Sequence, residues 1–382
     1  MTQADTLSQM KPLAPTPLPL TRGGPLDALR FMAAFCMVLY HYSFEAPVEL
    51  AKVHPIWGRG YLATDFFLIV SGYVLGRIYG DRVSSSKMST LGFFQRRATR
   101  VAPAHLIVLT TLVGFVLLCG LVGFTPAHME YFDWSQLPAQ VFLVVSLGVP
   151  GGRGWNDPSW SLSALLVCYA AFPLLWRAFG RIKSPSVALA AGLGVVAVAN
   201  LASNLFLHRD AFQIPQEIGV LRALPLFIAG IMLARFSESV AIRPWIARTL
   251  GLFALVGVIA LQGIGRFDFL SILLIAAMVV GAGATPVKKA SYALEKGAVI
   301  SFSLFITNEP VRIVLFGLIH LVEHKLHAGL GLQWALWAVT PAVAVAVAVA
   351  FHYGVDMPTQ RWIRSRRKNA RAEGRALEAM AA

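Results

Sequence analysis

The chain has 382 residues, of which 57% are hydrophobic and only 14% charged, with a mean hydropathy of +0.64. Soluble domains carry about a quarter of their residues as charges, so the composition excludes that class and indicates a polytopic membrane protein. The net charge of +14 does not indicate nucleic-acid binding, because the basic residues cluster in short loops between apolar runs and so carry topology.

Residues 1–25, with Pro12, Pro15, Pro17 and Pro19, read as a disordered cytoplasmic segment without a signal-peptide core. Ten apolar runs then have the length of membrane spans: Leu26–Phe44, Tyr61–Gly80, Val101–Val122, Trp160–Phe179, Ser184–Phe206, Gly219–Phe236, Trp245–Gly263, Phe267–Ala284, Gly297–Ile319 and Leu332–Tyr353. An eleventh, Leu137–Val149, is short and is expected to be re-entrant or interfacial. With it set aside, the loop charges sort cleanly. Arg82, Lys87, Arg96, Arg97, Arg100, Arg177, Arg181, Lys183, Arg235, Arg243, Arg248, Lys288, Lys289 and Lys296 share one side with a basic tail over 359–382. The opposite loops hold Glu45, Glu49, Glu130, Asp133, Asp210, Glu217, Asp268 and Glu323. The expected fold is all-α: a polytopic membrane helix bundle over 26–358, with about ten transmembrane helices, one short re-entrant or interfacial helix and both termini cytoplasmic. Cys36, Cys119 and Cys168 fall in apolar segments without paired spacing and read as buried thiols.

Arg30 and His41 stand eleven residues apart in the first span. Eleven helical steps return two side chains to within roughly 20° of each other, about 16 Å apart along the axis. Ionisable groups at such depth are costly and usually line a cavity or pathway. The topology puts Arg30 near the cytoplasmic mouth, with His41 and Asp65 toward the outer side. Asn308 and Glu309 are expected near mid-membrane, where Pro310 removes a backbone donor and kinks the helix. Arg30, His41, Asp65, Trp160 and Glu309 are therefore expected to line one water-filled passage. Ser71, Gly72 and Gly76 read as a small-residue face for close helix contact. The run His320-Leu321-Val322-Glu323-His324 spells an inverted zinc-protease pattern, but it closes a span and enters an outer loop, so no metal site is assigned.

Five blocks carry a resemblance to a known family. They are Leu26-Asp27-Ala28-Leu29-Arg30 with His41; Thr64-Asp65-Phe66-Phe67-Leu68-Ile69-Val70-Ser71-Gly72-Tyr73; Arg96-Arg97-Ala98-Thr99-Arg100-Val101-Ala102-Pro103; Trp160-Ser161-Leu162-Ser163; and Ser301-Phe302-Ser303-Leu304-Phe305. In this order they resemble the integral-membrane acyltransferase-3 family. The chain departs from that pattern at Leu165, where a Glu is common, and at Asn308, where a His is common. Glu309 beside Asn308 is a candidate displaced carboxylate.

The resemblance implies a bacterial inner-membrane enzyme. It would move an acyl group, acetyl in the first instance, from cytoplasmic acyl-CoA to a hydroxyl of an exported glycan, a lipid-linked sugar or a related acceptor. No permanently bound cofactor or metal is implied; the partners are the acyl-CoA donor, the acceptor and membrane lipids. His41 is the candidate general base or a transient acyl carrier, since an imidazole suits proton removal from an attacking hydroxyl; its plainer reading is a structural histidine. Asp65 would orient its other nitrogen, and Glu309 would relay protons or hold the acceptor. Arg30 would meet the donor's phosphates bidentately, joined by Arg96, Arg97 and Arg100, whose charges topology alone also accounts for. Trp160, Ser161 and Asn308 are the candidate acceptor residues. The rival reading is a transporter or flippase using the same buried charges. Against it, no second Arg-to-His helix and no repeated half occur in the sequence.

Overall fold

The computed structural model describes residues 20–85, 88–123, 129–150, 154–179 and 182–381. Of residues 1–25, expected to be disordered, 1–19 lie outside the described residues, as do the loop positions of Lys87 and Arg181, whereas residues 20–25 form a turn that leads into the first helix, with the Gly23 carbonyl accepting the Ser291 N–H at 3.0 Å. Among the described residues, thirteen α-helices follow in order. They are α1 Pro25–Ser43, the short α2 Leu50–Val53, α3 Leu62–Ser84, α4 Thr90–Leu121, the short α5 Leu137–Val141, α6 Ser159–Phe179 and α7 Pro185–Leu207. Then come α8 Val220–Ser239, α9 Pro244–Ile264, α10 Asp268–Ala284, α11 Tyr292–Leu326, α12 Leu330–Phe351 and α13 Met357–Ala381. Among the described residues there is no strand, and the protein is an all-α helix bundle.

Each expected span has its helix, but among the described residues only eight helical stretches are both long and apolar enough to cross a membrane. The two that fall short are α10, with 17 residues, and α1, whose Asp27, Arg30 and His41 dilute its apolar content. Both are nonetheless built into the bundle, α1 against α11 and α10 against α9. Pro25 occupies the first turn of α1, where its missing N–H costs nothing. Asp27 accepts the Gly23 N–H at 2.7 Å there.

The centre of the bundle is a contact between α3 and α8 that only glycine permits. A Cβ at Gly72 would sit 2.1 Å from the Phe227 carbonyl oxygen, and one at Gly230 would sit 2.1 Å from that of Ile69. Gly76 and Gly80 continue the face and receive the Trp176 ring. Backbones thus approach closely where side chains are smallest, as close packing in a bilayer requires.

Two helices overrun their expected limits. α4 starts at Thr90 rather than Val101, because the Ser89 hydroxyl accepts the Gly92 N–H at 3.1 Å and caps about three extra, basic turns. α11 has 35 residues and runs without interruption through Pro310, about 52 Å against a hydrocarbon core of about 30 Å. Glu309 therefore lies about 26 Å from the Tyr292 end. It stands at the middle of that helix and lines the same cavity as His41, about 24 Å along α1. The last turns of α11 project beyond the bundle and carry His320, His324 and His327 on their exposed surface.

Leu137–Val149 does not span. After the five residues of α5, Leu143 adopts φ 53° and the chain folds inward, with Val145 and Ser146 fully buried. Its polar groups are bonded at that depth: Ser146 Oγ donates to Ser163 Oγ at 2.8 Å, and His105 Nε2 lies 2.8 Å from the Gln140 carbonyl. Such pairing is the condition for irregular backbone inside a membrane protein. At the other end, α12 passes through a π-turn over His352–Asp356 into α13. The C-terminal tail is thus helical and returns to α4, where the Gln360 amide donates to the Thr99 carbonyl at 3.1 Å.

Candidate active site

A cavity of about 640 Å³ opens where α1 ends and where α3, α6 and α8 begin, at the end of the bundle away from the clustered arginines. His41 enters it from the last turn of α1, Tyr61 and Thr64 from the start of α3, and Trp160 from the first turn of α6. Arg222 comes from α8, and Glu309 and Arg312 from α11. The remaining wall is loop: Gly154 to Pro158 on one side and Phe212 to Gln216 on another. Gly154 holds φ 135°, and a Cβ there would sit 2.6 Å from the Tyr131 carbonyl, so that loop depends on glycine. The adjoining Trp155 is anchored by its indole N–H, which donates to the Asp133 carbonyl at 2.8 Å.

Most charges around the cavity are paired, while Asp157 accepts from the Gln216 amide at 3.3 Å and Arg209 donates to the Leu207 carbonyl at 3.4 Å. Arg222 donates to both Asp65 oxygens at 2.8 Å, donates again to the Tyr61 carbonyl at 3.1 Å, and lies over the Tyr61 and Trp160 rings. Arg312 donates to both Glu309 oxygens at 3.0 and 2.7 Å and also to Glu45. Asp268 accepts from Arg59 and from the Tyr61 hydroxyl. His41 packs edge-on against Tyr40. Among the described residues, no hydrogen bond reaches either of its ring nitrogens. An imidazole with unbonded nitrogens thus faces an aromatic and polar chamber in which Glu309 and Glu45 are held by Arg312.

This arrangement brings together three of the residues singled out in the sequence, His41, Trp160 and Glu309. Asp65 is not delivered to His41, as was expected of it: it is fully buried behind Arg222, with both oxygens taken. Glu309 lines the chamber but is likewise held by its arginine. Ser161 is turned onto its own helix, donating to the Pro158 carbonyl at 3.0 Å. The Asn308 amide donates to the Phe305 carbonyl, and the Asn308 carbonyl accepts the Tyr42 hydroxyl at 3.2 Å, so this residue ties α11 to α1. Arg222, Arg312 and Glu45 are the residues that sequence reasoning missed. Two of them carried the same signal as Arg30, a guanidinium inside an apolar run.

A second cavity, of about 710 Å³, lies at the opposite end between α3, the first turns of α4 and α13. Arg96, Arg97 and Arg100 line it together with Tyr79, Arg364, Arg367 and Lys368. The Arg97 guanidinium sits over the Tyr79 ring at 4.6 Å and the Tyr169 ring at 5.9 Å. Arg100 bonds Asp356 at 2.8 Å and lies over Phe302. Arg30 is not in the lining of either cavity. It pairs with Asp27 at 3.5 Å and lies within electrostatic range of Tyr169 and Arg100, between the two. The helix that carries it is unbroken to Ser43, so Arg30 and His41 share a face.

Helices of spanning length, with a polar chamber at one end and a cationic one at the other, define a polytopic membrane protein. The family model described as an acyltransferase domain matches residues 25–353, and the chain belongs to this acyltransferase-3 family. It is 32% identical over 164 residues to a protein named acyltransferase MdmB from Streptomyces mycarofaciens. That stretch is 41% of this chain and 40% of the relative, so the likeness spans less than half of that protein's length. It is also 25% identical over 188 residues to protein 2 in the picA locus of Rhizobium radiobacter, 46% of this chain and 92% of that one. No solved structure matches.

Proposed function

We propose that this protein is a membrane-bound O-acyltransferase that takes an acyl group, acetyl being the simplest, from acyl-CoA. The acceptor is a hydroxyl of a glycan, a lipid-linked sugar or a related molecule held in the chamber around His41. The concentration of arginine and lysine at the Arg96 end supports placing that end and both termini in the cytoplasm of a bacterial cell, with the chamber facing outward. The donor's phosphates then meet the cationic cavity, and its pantetheine arm runs along α1 past Arg30.

His41 Nε2 or Nδ1 takes the proton of the acceptor hydroxyl as its oxygen attacks the thioester carbonyl carbon. The C–O bond forms, the C–S bond breaks, and the imidazolium returns the proton to the departing thiolate, leaving an ester and free CoA. Arg222 and Arg312 neutralise Asp65, Glu309 and Glu45, which removes these three carboxylates from competition for that proton. Trp160 and Tyr61 supply flat apolar faces suited to a sugar ring.

The observation that carries this reading is the unbonded His41 imidazole opening into the chamber on the same helix as Arg30. Purified full-length protein in detergent, given acyl-CoA and a hydroxyl acceptor, should release free thiol in step with ester formation. A transporter would bind or move the solute without releasing thiol, and that result would replace the proposal.

A further inference from the structure

The cavity at the basic end has two halves, and the family blocks account for only one. Arg96, Arg97 and Arg100 come from α4. Arg364, Arg367 and Lys368 come from α13, beyond the last residue matched by the family model. Gln360, Arg364, Arg367 and Lys368 follow the i, i+4, i+7, i+8 spacing of a single helix face, and that face is the one turned to the cavity. The face is fixed in place. Gln360 donates to the Thr99 and Arg100 carbonyls at 3.1 and 3.3 Å, and Arg367 donates to the Gln95 carbonyl at 3.2 Å.

Six cations therefore line one volume, and no acidic side chain is among its lining residues. Among the described residues, Arg100 alone of the six has a carboxylate, Asp356, behind it. Two sets of like charges converging this way repel one another unless a polyanion lies between them. Arginine suits that ligand because its planar fork matches phosphate oxygens. Arg97, held among the Tyr79, Phe93 and Tyr169 rings, marks the inner wall toward Tyr169 and Arg30.

We propose that α13 is the second jaw of the donor site: Arg364, Arg367 and Lys368 clasp the phosphates of the coenzyme's 3′-phosphorylated nucleotide from the side opposite Arg96, Arg97 and Arg100. This rests on acyl-CoA being the donor. Anionic lipid headgroups share the phosphate chemistry, so the test includes them as a separate arm.

Coenzyme A binding to the purified full-length protein is measured by calorimetry, alongside dephospho-CoA and vesicles containing phosphatidylglycerol. The variant is R364Q/R367Q/K368Q, with R364K/R367K/K368R as the charge-preserving control. The expected result is a CoA affinity at least tenfold weaker in the glutamine variant and near wild type in the control. The wild type should also prefer CoA to dephospho-CoA and lose affinity as salt rises. Equal CoA affinity in wild type and glutamine variant, with loss only of vesicle binding, would assign α13 to lipid and overturn the clasp while leaving the donor reading intact. Absence of CoA binding by the wild type would overturn both.

Discussion

Around His41 the carboxylates of Asp65, Glu309, Glu45 and Asp268 each sit against an arginine, whereas at the opposite end six cations face a common volume lined by no carboxylate. In the first region those four carboxylates are neutralised, so a neutral substrate can enter beside them without stranding a charge. The second is left unbalanced, which is the state of a surface waiting for a polyanion. A molecule that is anionic at one end and delivers an uncharged group at the other fits both regions at once.

The largest effect that would break this contrast is at His41. His41→Ala should lower acceptor acylation by about 10²–10⁴-fold while membrane insertion and CoA binding stay at wild-type level; acylation assayed beside CoA calorimetry checks both halves. Next, Arg222→Ala strands Asp65, whose side chain has no exposure. Removing one partner of such a pair costs about 3–5 kcal/mol, read as a lowered unfolding midpoint in detergent. Gly72→Val forces apart the contact where a Cβ already falls 2.1 Å from the Phe227 carbonyl. A loss of about 1–3 kcal/mol is expected, and an unaltered midpoint would show that α3 and α8 are not so close. The smallest effect sharpens the contrast from outside. Lys52, on the short α2, pairs with Glu49 at 2.6 Å, and the carboxylate beside it raises the affinity of its amine for a proton. Both groups are exposed, so Lys52→Ala should leave the unfolding midpoint unchanged.

Much of the helix order is legible in the sequence because spanning runs announce themselves by length and apolarity, as Ser159–Phe179 and Pro185–Leu207 do to within a residue. Where a helix continues past the apolar run, as α4 and α11 do, the hydropathy limit misplaces its ends. His41, Trp160 and Glu309 are legible as polar groups in costly places. Their surroundings are not, because Arg222 and Asp65 are 157 positions apart and Arg312 and Glu45 are 267 apart, and helix periodicity says nothing of which spans adjoin. The same rule that selects Arg30 also selects Arg222 and Arg312, and applied evenly it would have supplied the partners that hold Asp65 and Glu309. The loops that wall the chamber, Gly154 to Pro158 and Phe212 to Gln216, have no period to read.

The sidedness of transfer tests the central claim most directly. With the full-length protein oriented in sealed vesicles, acyl-CoA is supplied to one face only and a membrane-impermeant hydroxyl acceptor to the other, and ester is measured by mass spectrometry. Ester should form when acyl-CoA meets the Arg96 face and the acceptor meets the His41 face, and not in the reverse arrangement. Ester formed equally well with both reactants confined to the Arg96 face would contradict a donor site and a transfer chamber at opposite ends of the bundle.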